Sequence, residues 1–421
     1  MKKLEHIYHV KDKTLLWNLA LLMFMSILVF NGTFFRVRPI EELPTLDWLV
    51  LARLIACSLG FVIGVILILK SHARFGFGSI TLLLFLIATG FSAIDSPYPT
   101  IVIGYVILLL GASVLVFGLV QSAPDVKRLE QIELVWFFTV AICVIKDALT
   151  SIIFPEPGIG GEVVRLGMST THANQISLLA GLVFWLSFRQ TKANIFRWIL
   201  RIVMLFIIIG AISRVSIVAF LFGGFIYCFL RSRDFTKKTI FIMACLSGII
   251  FFLLVSSFDP RLGDKVVLYA KRGQSNAELT HFTGRTDIWK QVMVQFPESP
   301  LIGHGYGITR FTLKPTYWDY QPPHAHNEFL EALFSMGLLG LIPLVFMYIY
   351  NLKWIASFFR LREMFSPDLA LHASAIVIMF LISTFFEARI AVRLLPFQPL
   401  FFFYLLMLDR EKDFAMMRKA H

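Results

Sequence analysis

Charge is scarce in this sequence: Asp, Glu, Lys and Arg make up 16% of 421 residues, against 57% hydrophobic residues. That excludes an ordinary soluble domain, in which about a quarter of residues are charged. Cysteine is scarcer still, at four. Cys57, Cys143, Cys228 and Cys245 all fall inside apolar runs and form no C-x-x-C, so neither a disulfide nor a zinc site is implied. The carboxylates of the longest polar segment, Asp259, Asp264, Glu278, Asp287, Glu298 and Asp319, are scattered and form no D-x-D pair, so no metal is expected. Acidic residues are outnumbered 27 to 39, giving a net charge of +12. No basic patch is interleaved with aromatics on a soluble face, which excludes nucleic acid and leaves topology and contact with anionic membrane lipid.

What fills the chain is apolar sequence in long continuous runs, with 43 Phe. A span needs about 20 apolar residues, and continuous rather than alternating runs mean helices rather than barrel strands. The expected fold is therefore all-α, a polytopic membrane protein of about twelve transmembrane helices. They fall near 15–34, 48–69, 77–94, 100–120, 134–154, 173–188, 196–212, 215–230, 239–257, 327–350, 369–386 and 391–408. The first run follows a basic start like a signal peptide but lacks a small-residue cleavage site, so it counts as a span. With both termini cytoplasmic, most Lys and Arg lie on inner segments. The short outer loops and span edges hold Arg36, Arg38, Arg165, Arg214, Arg389 and Arg393, in keeping with the positive-inside rule. The chain divides into nine helices (1–257), a large outer, periplasmic loop (258–326), and three helices with a cytoplasmic tail (327–421).

Polar residues able to do chemistry gather at the outer face. Lys146 and Asp147 sit together near the outer end of the fifth span, as an ion pair or a functional pair. Arg165 and Asn174, in and after a glycine-rich outer loop, either touch a ligand or are solvated. The apolar run from Ile199 to Leu230 would be about 48 Å as one helix, too long for one span. It is broken at Ser213-Arg214-Val215-Ser216, which buries Arg214 at the junction. An Arg near apolar depth costs about 2.5–3.5 kcal/mol, so it needs an anionic partner: a lipid-borne phosphate, or a carboxylate such as Glu331 or Glu387.

In the outer loop, Thr283 or Gly284 caps a helix whose apolar stripe is Ile288, Trp289, Val292, Met293 and Phe296, ended by Pro297. Such a helix is expected to lie on the membrane surface, holding Arg285, one turn before Trp289, at headgroup level. A guanidinium there suits a diphosphate, or serves only as an anchor. Gly303, Gly305 and Gly307 add permissive backbone but no complete phosphate loop. Pro322 and Pro323 then place a helix start at His326, with Asn327 available as a cap. A helix N-terminus favours a neutral imidazole and a nearby anion, so His326 reads as a general base beside a phosphate, or as an interfacial cap. His324 is a second polar group or a loop residue. Gly337 and Gly340 would let another helix pack closely.

Four features together resemble the O-antigen ligase and polymerase family of bacterial envelope glycosyltransferases. They are Ser213-Arg214-Val215-Ser216, Gly284-Arg285 with Trp289, His326-Asn327 followed after nine residues by Gly337-x-x-Gly340, and the large outer loop before the last three spans. The resemblance implies a helical bundle similar to the GT-C class of lipid-sugar glycosyltransferases, in the bacterial inner membrane, with a periplasmic site. It implies transfer of a glycan from undecaprenyl diphosphate to an acceptor, preferentially the lipid A core, without cofactor or metal. By resemblance Arg214 and Arg285 clamp the diphosphate and His326 activates the acceptor hydroxyl for inverting attack, with Arg165, Asn174, Trp289, His324 and Asn327 lining the site. A polymerase would use the same donor. A transporter, the second alternative, should show inverted repeats and broken helices at mid-membrane; the polar residues here gather at the outer face instead, which counts against transport.

Overall fold

A computed structural model describes residues 2–32, 47–71, 73–155, 165–167, 172–189, 194–232, 234, 236, 285–315 and 321–419. Among the described residues all regular structure is helical, as the continuous apolar runs require. The helices are α1 (Lys2–Asn31), α2 (Trp48–Ser71), α3 (Phe77–Phe91), α4 (Pro99–Ser122), α5 (Val126–Ile153), α6 (Ala173–Leu186), α7 (Ile195–Gly210) and α8 (Arg214–Arg231). After these come α9 (Arg285–Gln295), the short α10 (Thr309–Thr312), α11 (Glu328–Asn351), α12 (Lys353–Ala356), α13 (Phe358–Met364), α14 (Pro367–Thr384), α15 (Phe397–Asp409) and α16 (Glu411–Lys419). Six stretches, in α1, α2, α4, α8, α11 with α12, and α14, are long and apolar enough to cross a membrane, and α3, α6 and α15 are shorter apolar helices. The protein is a multi-pass membrane protein. The expected ninth span, 239–257, and the outer segment as far as Gly284 lie outside the described residues.

Helix boundaries follow local chemistry. The expected break between α7 and α8 is present: Ser213 caps α8 by accepting from the Ser216 amide. Lys146 and Asp147 form the expected ion pair, 3.2 Å apart. The last span differs from expectation. Helix resumes only at Phe397, after Pro396, and residues 385–396 form a non-helical turn that is buried over most of its length from Glu387 on. Buried backbone must find partners, and here side chains supply them. Gln398 accepts from the Leu395 amide at 2.7 Å and donates to the carbonyls of Val392 and Arg393. Proline before the helix and charged Glu387 and Arg389 in the turn explain why the apolar run does not begin as helix at 391.

Gly337 and Gly340 do not work as a helix-approach motif. Gly337 has φ +61° and ψ −159°, which breaks the regular path of α11. The loop from Pro300 to Gly305 packs into the break. His304 and Gly305 donate to the carbonyls of Phe334 and Ser335, and the amides of Leu338 and Leu339 donate back to Pro300 and Leu301, at 2.9–3.0 Å. The three loop glycines all have positive φ, and a β-carbon on Gly303 would sit 2.4 Å from the Met336 nitrogen. Gly303 and Gly305 thus serve backbone pairing with α11, while Gly307 lies against Tyr105 of α4.

Candidate functional site

Four helices begin around one carboxylate. Asn174 lies in the first turn of α6, Arg214 is the first residue of α8, Arg285 the first of α9, and α11 starts two residues after His326. Side-chain bonds gather these N-termini. Arg165 donates to the Ala211 carbonyl at the end of α7, at 3.0 Å. Ser216 Oγ donates to the Asn174 carbonyl, at 3.1 Å. Asn327 Nδ2 donates to the Phe385 carbonyl just past α14, at 3.2 Å. Converging N-termini turn positive dipole ends toward one another, a setting that favours anions.

At the centre is Glu387, 1% exposed, in the turn between α14 and α15. Its Oε1 accepts from Asn174 Nδ2 at 2.5 Å and from Arg285 Nη2 at 3.0 Å, and lies 3.5 Å from His326 Nδ1. Its Oε2 lies 3.4 Å from His324 Nε2 and 3.9 Å from Arg389 Nη2. Burial alone would raise this carboxyl, but His326, Arg389 and Arg285 hold it well below the usual carboxylate range. Burial pushes the His172 imidazole, beside the same group, down to about 4.

His326 and Arg285, expected from the sequence, therefore meet on a single carboxylate oxygen. Arg214 stands within electrostatic reach of Arg285. Arg165 and Asn174 join the site as a pair, Arg165 Nη2 donating to Asn174 Oδ1 at 3.4 Å. Three expectations change in detail. The helix starts at Glu328, not at His326, because Asn327 Oδ1 caps the amides of Phe329 and Leu330 at 3.0 Å. His326 instead takes φ +49°, a turn conformation uncommon outside glycine, which folds its ring back beside His324, 4.4 Å between centroids. Trp289 packs against protein. Its Nε1 donates to the Ala325 carbonyl at 3.0 Å, while Ile288 and Val292 pack with Leu313, Ala325 and Phe334, leaving Met293 exposed. Of the two carboxylates weighed as partners of Arg214, Glu331 is bound by Thr309 Oγ1 at 2.6 Å and the Ala325 amide at 2.7 Å.

His324, His326 and Glu387 bring three ligand-type atoms within 4.8 Å of one another. Their hydrogen bonds fit a proton network better than a metal. His324 Nδ1 accepts the His326 amide at 3.0 Å, so the proton of its neutral ring is on Nε2, the nitrogen 3.4 Å from Glu387 Oε2, where a metal would need a lone pair. Burial and the neighbouring His326 hold the His324 imidazole well below its ordinary value, which keeps that neutral form.

Glu387 was expected only as a partner of Arg214, and Arg389 and His172 were not expected at the site. Glu387 and Arg389 stand as Glu-Ala-Arg between apolar runs, and buried charges must be partnered, which is the signal that marks them.

Residues 199–345 match the family model described as O-antigen ligase. An O-antigen ligase of Salmonella typhimurium is 29% identical over 172 residues, covering 39% of this chain and 41% of that protein. Proteins provisionally named polysaccharide ligases are similar too. That of Rickettsia typhi is 26% identical, covering 39% of this chain and 41% of its own, and that of Rickettsia bellii is 25% identical, covering 36% and 38%. The chain thus spans about two fifths of the length of each relative.

Proposed function

We propose, from the match of residues 199–345 to the O-antigen ligase family model, that the chain moves an O-antigen glycan from undecaprenyl diphosphate to a sugar hydroxyl of the lipid A core. The observation that carries this is the meeting of Arg285 and His326 on one oxygen of Glu387, with Arg214 within electrostatic reach of Arg285. Two guanidiniums and four helix N-termini suit a diphosphate, whose charge they neutralise as it leaves. His326 Nδ1 lies 3.5 Å from Glu387 Oε1, and in this reading it carries the ring proton, which makes Nε2 the basic nitrogen. Nε2 takes the proton of the acceptor hydroxyl as that oxygen attacks the anomeric carbon. The bond from that carbon to the diphosphate breaks, inverting the configuration. The Glu387 carboxylate orients the imidazole and stabilises the imidazolium, as the acid of a catalytic triad does.

The other residues divide by role. Arg165 and Asn174 form the wall beside the diphosphate, and His324 backs the carboxylate. Trp289 and Asn327 fix the backbone on either side of His326. The site faces the periplasm, both termini the cytoplasm, and the protein sits in the bacterial inner membrane.

Purified chain reconstituted with an undecaprenyl diphosphate glycan and lipid A core should form the conjugate. His326→Ala should slow it by at least about 100-fold, the scale of a lost general base. Full rate in that variant removes the base assignment. In a deletion strain, a lipopolysaccharide gel should show core without O-antigen while long lipid-linked chains accumulate. Core bearing a single repeat would point to a polymerase.

A further inference from the structure

Glu387 has two arginine partners of unlike exposure, and the difference separates their work. The Arg285 side chain is 18% exposed and opens a helix, whereas that of Arg389 is 1% exposed. Arg389 is also fixed at both ends. Its amide, with those of Ile390 and Ala391, donates to the buried carboxylate of Glu328, at 2.5–3.1 Å. Its guanidinium lies 5.0 Å from the centre of the Phe397 ring, and Nη2 donates to the Asn174 carbonyl at 3.3 Å. Nε and Nη1 have no hydrogen-bond partner among the described residues. Buried donors without acceptors are costly, so this side chain is retained for its charge.

We propose that Arg389, seated by Glu328, is a positioning residue that keeps Glu387 ionised as the partner of His326 while Arg285 turns to the substrate phosphate. The inference rests on the transferase reading for its effect on rate, but the ion pair itself does not depend on it. A phosphate arriving at Arg285 competes with Glu387 for that guanidinium. The groups facing Glu387 are His324 and His326 from the turn before α11, Arg285 from α9, Asn174 with His172 and Arg165 around α6, and Arg389 from its own turn. Of the three arginines Arg389 is the most deeply buried, and Glu328 and Phe397 prevent it from following the substrate.

Two measurements on the full-length protein in liposomes test this. The first is the pH profile of transfer in wild type, Arg389→Lys and Arg389→Met. An opposite charge this close lowers a carboxyl by about one to three pH units, so Arg389→Met should move the acid limb of kcat/KM upward by that much. Arg389→Lys should recover part of it. The second needs no activity: infrared difference spectroscopy should show a protonated carboxyl in Arg389→Met at neutral pH, its band absent from Arg389→Met with Glu387→Gln. Thermal unfolding checks that the variants fold, and Glu328→Gln, which disturbs the seat and leaves the guanidinium in place, should shift the profile in the same direction by less. An unmoved profile together with no new carboxyl band overturns the proposal even where His326→Ala is inactive. A carboxyl band in a protein without transferase activity supports the ion pair and removes the reading it serves.

Discussion

Arg285 and Glu387 are 102 residues apart in sequence and 3.0 Å apart in space. That bond fastens α9, within the large outer loop, to the turn between α14 and α15. His326, from a third segment, reaches the same oxygen. The site is assembled by a buried carboxylate that draws cations from segments otherwise separate, and this arrangement sets the expectations below.

Replacing Glu387 by Gln should slow transfer by roughly 10²- to 10⁴-fold. The amide can donate to His326 Nδ1, which would leave the proton on Nε2 and remove the basic lone pair. Initial rates with saturating donor check this. A Glu387→Gln enzyme within threefold of wild type would show that His326 is not oriented through this carboxylate.

Arg285→Lys keeps the charge and loses the planar fork. A single ammonium cannot hold Glu387 and grip two phosphate oxygens together, so kcat/KM should fall about 10- to 100-fold. Arg285→Ala should fall further. Equal activity of the lysine variant and wild type would mean that a point charge suffices there.

Gly337→Ala should destabilise the protein by roughly 2–4 kcal/mol, from a backbone region nearly closed to other residues and an overpacked contact. The added β-carbon would sit 2.4 Å from the Leu301 backbone. Thermal unfolding in detergent measures this. Gly340 lacks the positive φ, but its β-carbon would sit 2.3 Å from Met336 Cβ, so Gly340→Ala should keep the overpacking cost and lose only the backbone strain.

Acid should destabilise the fold ahead of ordinary carboxylate titration. His172 is pushed down to about 4 from 6.5, so across that interval the unfolded chain binds a proton that the folded chain refuses. Stability therefore rises with pH from about 4 to 6.5, by at most on the order of 3 kcal/mol for this group. Glu387, held low, adds a loss in the same direction as pH falls below its ordinary value of 4.5. Melting temperature against pH should show the slope, and His172→Gln should flatten its upper part. An unchanged slope in that variant would assign the effect elsewhere.

Much of this was legible in the sequence because hydrophobic runs and isolated charges are local signals. Arg214 stood out as a cation splitting an apolar run, and Ser213 does cap the helix behind it. Arg285 and His326 stood out as polar residues at helix starts. Glu387 was weighed only as a partner for Arg214, because its role comes from five residues on other segments and in its own turn. The conformation of His326 was hidden too, since positive φ is announced by glycine and not by histidine. Gly337-x-x-Gly340 reads alike as a close-packing face or as a break, and only the glycines of the 303–307 loop, once folded against α11, decide between them. The stripe on α9 foretold burial of Ile288 and Val292 but not whether protein or lipid would cover them.

The first half of α11 is pinned at both ends by main-chain atoms: Glu328 grips three amides of the 389–391 turn, and the loop at Pro300–Gly305 knits into the break at Gly337. The address of the imidazole is thus written in peptide groups, which every sequence carries. Side chains along that short post can drift to suit different lipids or sugars while the histidine stays where it is.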